Sequence, residues 1–111
     1  ALLIPFQPRS IDVWALADIS NLVEEIRSIG KELPAYAVLN QADIQGSDNK
    51  DAAAAMADFP GITFLDAPVR RRKSFANAAG EGRSVLEYMP ADAKAIAEVE
   101  ALVLAVFSTQ L

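Results

Sequence analysis

The feature that most constrains the fold is the alternation of short apolar runs with longer segments of helical character. The apolar runs lie at residues 1–6, 35–40 and 62–65, and each is typical of a buried strand. Successive strands joined by helices pair in parallel through right-handed crossovers. The sequence therefore predicts an α/β fold with a three-stranded, mainly parallel sheet flanked by helices on both sides.

The first helical segment is predicted to begin at Ser10 and to end at Gly30. The Ser10 hydroxyl can accept a hydrogen bond from a free amide of the first turn, whereas Gly30 supplies the stop and Pro34 prevents resumption. The apolar residues of this helix recur at three- and four-residue steps. They are Ala15, Ile19, Leu22, Val23, Ile26 and Ile29. This stripe predicts the buried face of the helix.

Three further helices are predicted, at residues 50–59, 70–79 and 91–107. Residues 45–49 are predicted to form the loop before the second helix, whose alanines have high helix propensity. The last helix carries an apolar stripe of Ile96, Val99, Leu102, Val103 and Val106. Its charged residues fall off that stripe, at Lys94, Glu98 and Glu100.

The chain contains no cysteine and no histidine, which excludes several classes of chemistry. Disulfides, thiolate nucleophiles, Ser-His-Asp triads and zinc sites with nitrogen or sulfur ligands cannot form. The length of 111 residues suits one domain, residues 1–111, and no linker divides it. No apolar run approaches the ~20 residues that a membrane span requires. We therefore expect a cytoplasmic protein without membrane contact.

Ligands of parallel sheets bind at the carboxyl ends of the strands, which here are residues 7–9, 40–43 and 66–70. Asn40 ends the second predicted strand, and its amide can both donate and accept, as an adenine edge requires. The same amide could instead cap its own turn. Asp66 could orient a water or an arginine, or it could cap the next turn.

Residues 70–73 form a basic segment, Arg70, Arg71, Arg72 and Lys73, in a chain of net charge −5. The helix predicted at residues 70–79 would place these four cations at its N-terminus. The positive end of the helix dipole would repel each of them by ~0.3 to 1 kcal/mol. Phosphates of a nucleotide or of DNA would compensate this repulsion. Ion pairs with the acidic remainder of the chain are the alternative.

A phosphate-binding loop of the form G-x-x-x-x-G-K-[ST] does not occur in the sequence. The nearest pieces, at residues 30–32 and 80–82, lack the glycine and hydroxyl positions that wrap phosphates and hold Mg²⁺. Gly80 and Gly82 are more simply interpreted as helix exits. We therefore predict no catalytic residue and no ATP hydrolysis by this chain alone.

Three stretches carry a resemblance to a known family: IPFQPRSIDVWALADI, AYAVLNQAD and FLDAPVRRRKSFANAAGEGRSVLEYMPADAKAIAEVEAL. The third is the most specific, because a proline loop and a basic stretch precede F-A-x-A-x-x-x-G-x-S-V-x-E. In order and spacing, the three resemble the C-terminal half of ParA-type partition ATPases, relatives of the MinD-type ATPases. The resemblance implies the C-terminal part of a P-loop NTPase-like fold of the deviant Walker type, without its phosphate-binding half.

The resemblance also implies site residues, cofactors and partners for plasmid or chromosome partitioning. Asn40 matches the family's asparagine that contacts the adenine base, and Pro68 and Val69 match the proline loop that closes over it. The basic segment, Arg70, Arg71, Arg72 and Lys73, supplies the candidates for nonspecific DNA binding. ATP, Mg²⁺ and a partition adaptor protein are expected for the full-length parent. No cofactor is expected for this chain alone.

The chain opens directly on a predicted strand without an initiating methionine, which favours excision from a longer parent over a processed or tagged start. Excision would expose the edge of the strand at residues 1–6, and such an apolar edge tends to pair with another copy. We therefore expect a homodimer or a domain-swapped assembly.

A stand-alone α/β interaction or dimerisation module without catalysis is the alternative interpretation. A phosphoacceptor receiver domain is a third class, but it needs an acidic cluster after its first strand. This chain has Gln7, Pro8 and Arg9 there, so we set that class aside.

Overall fold

The computed structural model describes residues 1–44, 48–59 and 61–109, and within these ranges it describes no side chain for residues 10–14, 48 and 109. The predicted cap by the Ser10 hydroxyl, and the part of the predicted loop at residues 45–47, lie outside what is described. The elements in chain order are β1 (Leu2–Phe6), α1 (Ser10–Ser28), β2 (Ala35–Ala42), α2 (Asp48–Ala55), a 3₁₀ turn (Met56–Asp58), β3 (Thr63–Phe64), β4 (Val69–Arg70), α3 (Lys73–Gly80) and α4 (Ala93–Thr109).

The sheet is parallel throughout the described residues. Strand β2 lies between β1 and β3, and β4 pairs with the carboxyl end of β2. The register aligns Phe6 with Leu39, Tyr36 with Thr63, and Asn40 with Val69. The α/β fold with a mainly parallel sheet is confirmed, but the prediction of three strands missed β4. Strand β4 forms because β2 continues to Ala42 and offers pairing partners beyond Asn40.

Strand β1 lies at an edge of the sheet, and Pro5 sits on its free side. The backbone amide of Leu2 donates to the carbonyl of Pro34, 2.8 Å away, so the peptide groups of Leu2 point towards β2. Peptide groups alternate along a strand, and those of Leu3 and Pro5 therefore point away from β2. The missing amide hydrogen of Pro5 costs the sheet no hydrogen bond there.

Both faces of β2 are covered. Neighbouring residues of a strand point to opposite faces, and Val38 and Leu39 are both buried. The main core lies on the Leu39 side, against α1 and α2, and contains Ile4, Phe6, Leu16, Val23, Ala35, Ala37, Leu39, Ala42, Ala52, Met56 and Ile62. Phe6 packs edge-on against Phe64, with the ring centroids 6.4 Å apart.

The buried face of α1 differs from the predicted stripe. Leu16, Ser20 and Val23 are buried, whereas Leu22, Ile26 and Ile29 are exposed. Ala15 is also exposed, and Ile19 is half-buried. The three buried residues follow one another at steps of four and three, so the buried face lies about one position round the helix from the predicted stripe.

Helix α4 extends from the body of the domain. The radius of gyration is 15.2 Å, whereas a compact domain of this length has about 13 Å. Val103, Leu104 and Phe107 of α4 are exposed, and the predicted stripe is only half-buried elsewhere. Among the described residues, no helix combines the length and the hydrophobicity needed to cross a membrane.

Candidate functional site

An open pocket lies at the carboxyl ends of β2 and β4. Its volume is about 450 Å³, and its lining consists of Asn40, Gln41, Val69, Arg70, Arg71, Arg72, Phe75 and Ala76. This volume lies within the range of small-molecule sites. The position is the one at which parallel α/β sheets bind ligands, because the carboxyl ends of the strands leave a crevice there. We call it the β2–β4 pocket.

Two of the three residues predicted to bind adenine meet in this pocket. Asn40 and Val69 are register partners across β2 and β4, so the sheet itself fixes their separation. Pro68 instead lines a neighbouring pocket of about 370 Å³ that also contains Asp66. The two pockets share Arg70. The structure thus brings Asn40 to Val69 and places Pro68 on the other side of Arg70.

Asn40 was predicted to end its strand. In the structure, β2 continues past it to Ala42. The pairing with β4 is irregular between Asn40 and Ala42, and Gln41 between them has a φ of +51°. A side chain other than glycine is disfavoured in this left-handed region, and such residues cluster at functional sites. The Gln41 side-chain oxygen accepts a hydrogen bond of 3.3 Å from Arg71 Nη2 at the pocket wall.

The basic segment is not the helix N-terminus that the sequence predicted. Arg70 belongs to β4, Arg71 follows it, and Arg72 precedes α3 in an extended conformation. Only Lys73 lies within the helix. The prediction of a helix from residue 70 was wrong because Arg70 pairs with Ala42 and the backbone amide of Arg71 donates to the Ala42 carbonyl at 2.9 Å. The positive end of the helix dipole therefore faces two of the cations, Arg72 and Lys73, and not all four.

Glu98 of α4 forms ion pairs with two of the four cations, Arg70 and Arg72. Its carboxylate accepts hydrogen bonds from Arg70 Nη1 at 3.0 Å, from Arg72 Nε at 3.0 Å and from Arg72 Nη2 at 3.1 Å. The backbone amide of Arg70 donates to the same carboxylate at 3.3 Å. Burial opposes ionisation of this carboxyl, but the hydrogen bonds from Arg72 and then Arg70 outweigh it and hold the pKa of Glu98 below its usual range.

The sequence pattern does not indicate a role for Glu98, because Glu98 lies off the apolar stripe of the last helix. Its side chain is nevertheless only 11% exposed. Ala95, three residues earlier, is fully buried, and Leu102, four residues later, is half-buried, so Glu98 lies on the inward face. For the basic segment, ion pairing with the acidic remainder of the chain was the alternative to binding phosphates. The structure shows such ion pairs for Arg70 and Arg72.

Arg71 and Lys73 are exposed beside the pocket. Close to Arg71, Arg9 at the end of β1 forms two hydrogen bonds with the carboxylate of Asp43, of 3.1 and 3.2 Å. The hydrogen bond from Arg9 is the main cause that lowers the pKa of Asp43, with a smaller contribution from the charge of Arg71. This ion pair therefore links the loop after β1 to the loop after β2 at the same edge of the sheet.

The residues described at this edge include no cluster of potential metal ligands. In residues 1–44, 48–59 and 61–109, no three histidine, cysteine, aspartate or glutamate side chains gather closely enough to hold one. Asn40 and Val69 present a side-chain amide and an apolar side chain to the pocket.

Comparison with known proteins gives one informative similarity. The chain is 33% identical over 86 residues to the "Maintenance of carboxysome distribution protein A" of Halothiobacillus neapolitanus, over 78% of this chain and 39% of that protein. The similarity supports a ParA-type relationship at a coarse level. The chain spans about two fifths of the length of this relative. No family model matches the chain, and no solved structure matches it significantly.

Proposed function

We propose that this chain is the C-terminal part of a ParA-like ATPase that positions or partitions a cellular cargo. The relative's name describes the distribution of carboxysomes, which is a positioning task. The observation that carries the proposal is the register pairing of Asn40 with Val69 at the rim of the β2–β4 pocket. Two of the three residues that the family resemblance assigns to the adenine, Asn40 and Val69, therefore line the same pocket.

In this proposal, the β2–β4 pocket receives the adenine of ATP. The side chain of Asn40 presents one donor and one acceptor to the edge of the base. Val69 covers one face of the base and excludes water, whereas Arg71 stands at the exposed rim. The chain contains no phosphate-binding loop. The phosphates and the chemistry of hydrolysis therefore belong to the remainder of the parent protein.

Nonspecific DNA binding is the second part of the proposal. Arg71 and Lys73 are exposed, so they can approach backbone phosphates and release counterions. Arg70 and Arg72 are occupied by Glu98 and contribute less. The proposal therefore narrows the predicted DNA-binding segment from four cations to two.

The adenine assignment is tested with Asn40→Ala in the full-length parent protein. We expect ATP affinity to fall about 10- to 100-fold by calorimetry, because one or two hydrogen bonds to the base are lost. Asn21→Ala is the matched control, because Asn21 is exposed on α1, remote in sequence from the pocket residues. Equal ATP affinities for the two variants would remove Asn40 from the site.

A stand-alone interaction module is the second candidate function. The exposed Leu22, Ile26 and Ile29 on α1 favour it, because apolar residues at this spacing form a helix face suited to a partner. The encoded sequence upstream of Ala1 separates the two functions. A glycine-lysine-threonine loop there supports the ATPase, whereas a start codon at that point supports the module.

A further inference from the structure

The carboxylate of Glu98 reaches from α4 to strand β4, whose Val69 and Arg70 form part of the pocket wall. Strand β4 has only two residues, and strands this short depend on neighbouring elements for their position. The Glu98 carboxylate accepts hydrogen bonds from the backbone amide of Arg70 and from the guanidinium groups of Arg70 and Arg72. These bonds hold β4 and the turn into α3 against α4.

The same carboxylate also determines which cations of the basic segment remain exposed to solvent. The side chains of Arg70 and Arg72 are 35% and 16% exposed, and both point to Glu98. A carboxylate between two guanidinium groups occupies the position that a phosphate would otherwise take, because both anions accept paired N–H donors. Arg71 and Lys73 lack this partner and remain exposed.

We infer that Glu98 is a positioning residue with opposite effects on two ligands: it favours binding in the β2–β4 pocket and weakens binding to DNA. With Glu98 in place, the pocket wall is ordered and two of the four cations are withheld from DNA. Without it, the wall loosens and Arg70 and Arg72 become available to phosphates. The inference rests on the proposed function for the identity of the two ligands, but the ordering of the wall stands on the geometry alone.

The ordering of the wall is tested by limited trypsin digestion of this chain. Trypsin cleaves after arginine and lysine, so the basic segment offers four consecutive sites whose cleavage requires local opening. Glu98→Gln removes the charge and keeps the shape. Glu100→Gln is the matched control, because Glu100 lies two residues further along the same helix and is exposed. We expect cleavage at the segment to accelerate about fivefold or more in E98Q alone.

The coupling is tested by binding of a labelled random-sequence DNA duplex to the same variants across a salt series. E98Q should bind more tightly than E100Q, and the slope of log K against log salt should steepen by about 1 to 2, because two cations are released. A purely structural role would not strengthen DNA binding. In the full-length parent, E98Q should weaken ATP binding.

The possible failures are distinct. Equal trypsin cleavage of E98Q and E100Q would overturn the inference, whatever the DNA result. Faster cleavage of E98Q without any gain in DNA affinity over E100Q would overturn the coupling. If the wild type and both variants fail to bind DNA at any salt concentration, the DNA part of the proposed function fails together with the coupling. Stronger DNA binding with unchanged ATP affinity would restrict the role of Glu98 to DNA and contradict opposite coupling.

Discussion

The Ser74 hydroxyl donates a hydrogen bond of 2.6 Å to Asp92 Oδ2, across 18 positions of the chain. The other oxygen of Asp92 accepts from the backbone amide of Ala95 at 3.2 Å and caps α4. The hydrogen bond from Ser74, and then that from Ala95, hold the pKa of Asp92 below its usual range. One buried serine of α3 thereby fixes the start of α4, the helix that carries Glu98.

Ser74→Ala should lower the free energy of unfolding by about 1 to 2 kcal/mol, because the cap of α4 loses its orientation and a half-buried acceptor loses its donor. Urea unfolding followed by circular dichroism measures the change. Ser28→Ala is the control, because the Ser28 hydroxyl makes an exposed hydrogen bond to the carbonyl of Glu25 in its own helix. Equal effects of the two substitutions would contradict the role of Ser74.

The observed buried face of α1 predicts different costs for two leucines of one helix. Leu16→Ala should lower the free energy of unfolding by about 2 to 5 kcal/mol, because Leu16 is 1% exposed in the main core. Leu22→Ala should change it by less than about 0.5 kcal/mol, because Leu22 is 57% exposed. The same unfolding measurement applies. A larger cost for Leu22 would restore the stripe that the sequence predicted.

Stability should fall in acid. Among the described side chains, four carboxyl groups have pKa values below their usual range, those of Asp43, Glu87, Asp92 and Glu98. Their contribution is complete above the usual values of 3.8 for aspartate and 4.5 for glutamate. It is lost as the pH falls through the lowered values, because the unfolded chain then binds more protons. Urea midpoints recorded from about pH 7 to about pH 3 should decline, and less steeply in E98Q.

The free edge of β1 bears on the expected homodimer. Pro5 offers no amide hydrogen on that edge. A strand from a second copy could therefore pair with β1, but one backbone hydrogen bond of the pairing would be missing. Pro5→Val should therefore increase self-association, measured by light scattering after size-exclusion chromatography. A stable monomer at high concentration, for both the wild type and the variant, would count against pairing through β1.

The two predicted DNA contacts can be separated from the two ion-paired arginines. Replacing Arg71 and Lys73 by glutamine should reduce the affinity for random-sequence duplex DNA and flatten its salt dependence by about 2 in slope. Replacing the exposed Lys31 and Arg83 by glutamine gives a control with the same change in charge. Equal losses in the two double variants would mean that only net charge matters.

The sequence was informative where a residue's own chemistry decides the structure. Gly30, with a φ of +86°, follows α1 as predicted, and the apolar runs became β1, β2 and β3. The sequence was uninformative where a residue distant in the chain determines the local structure. Strand β4 exists because β2 continues past Asn40, and a local pattern of four basic residues cannot reveal that pairing. The partner of Arg70 and Arg72 is Glu98 on another element, which helical periodicity alone assigns to solvent.

We propose above all that the adenine of ATP binds in the β2–β4 pocket, against Asn40 and Val69. Photo-crosslinking of the full-length parent with 8-azido-ATP, followed by peptide mass spectrometry, tests it most directly. We expect the label within β2, β4 or the first turn of α3, close to Asn40, Val69 or Phe75, and we expect unlabelled ATP to suppress it. A label that ATP suppresses but that lies wholly outside these three elements would contradict the claim.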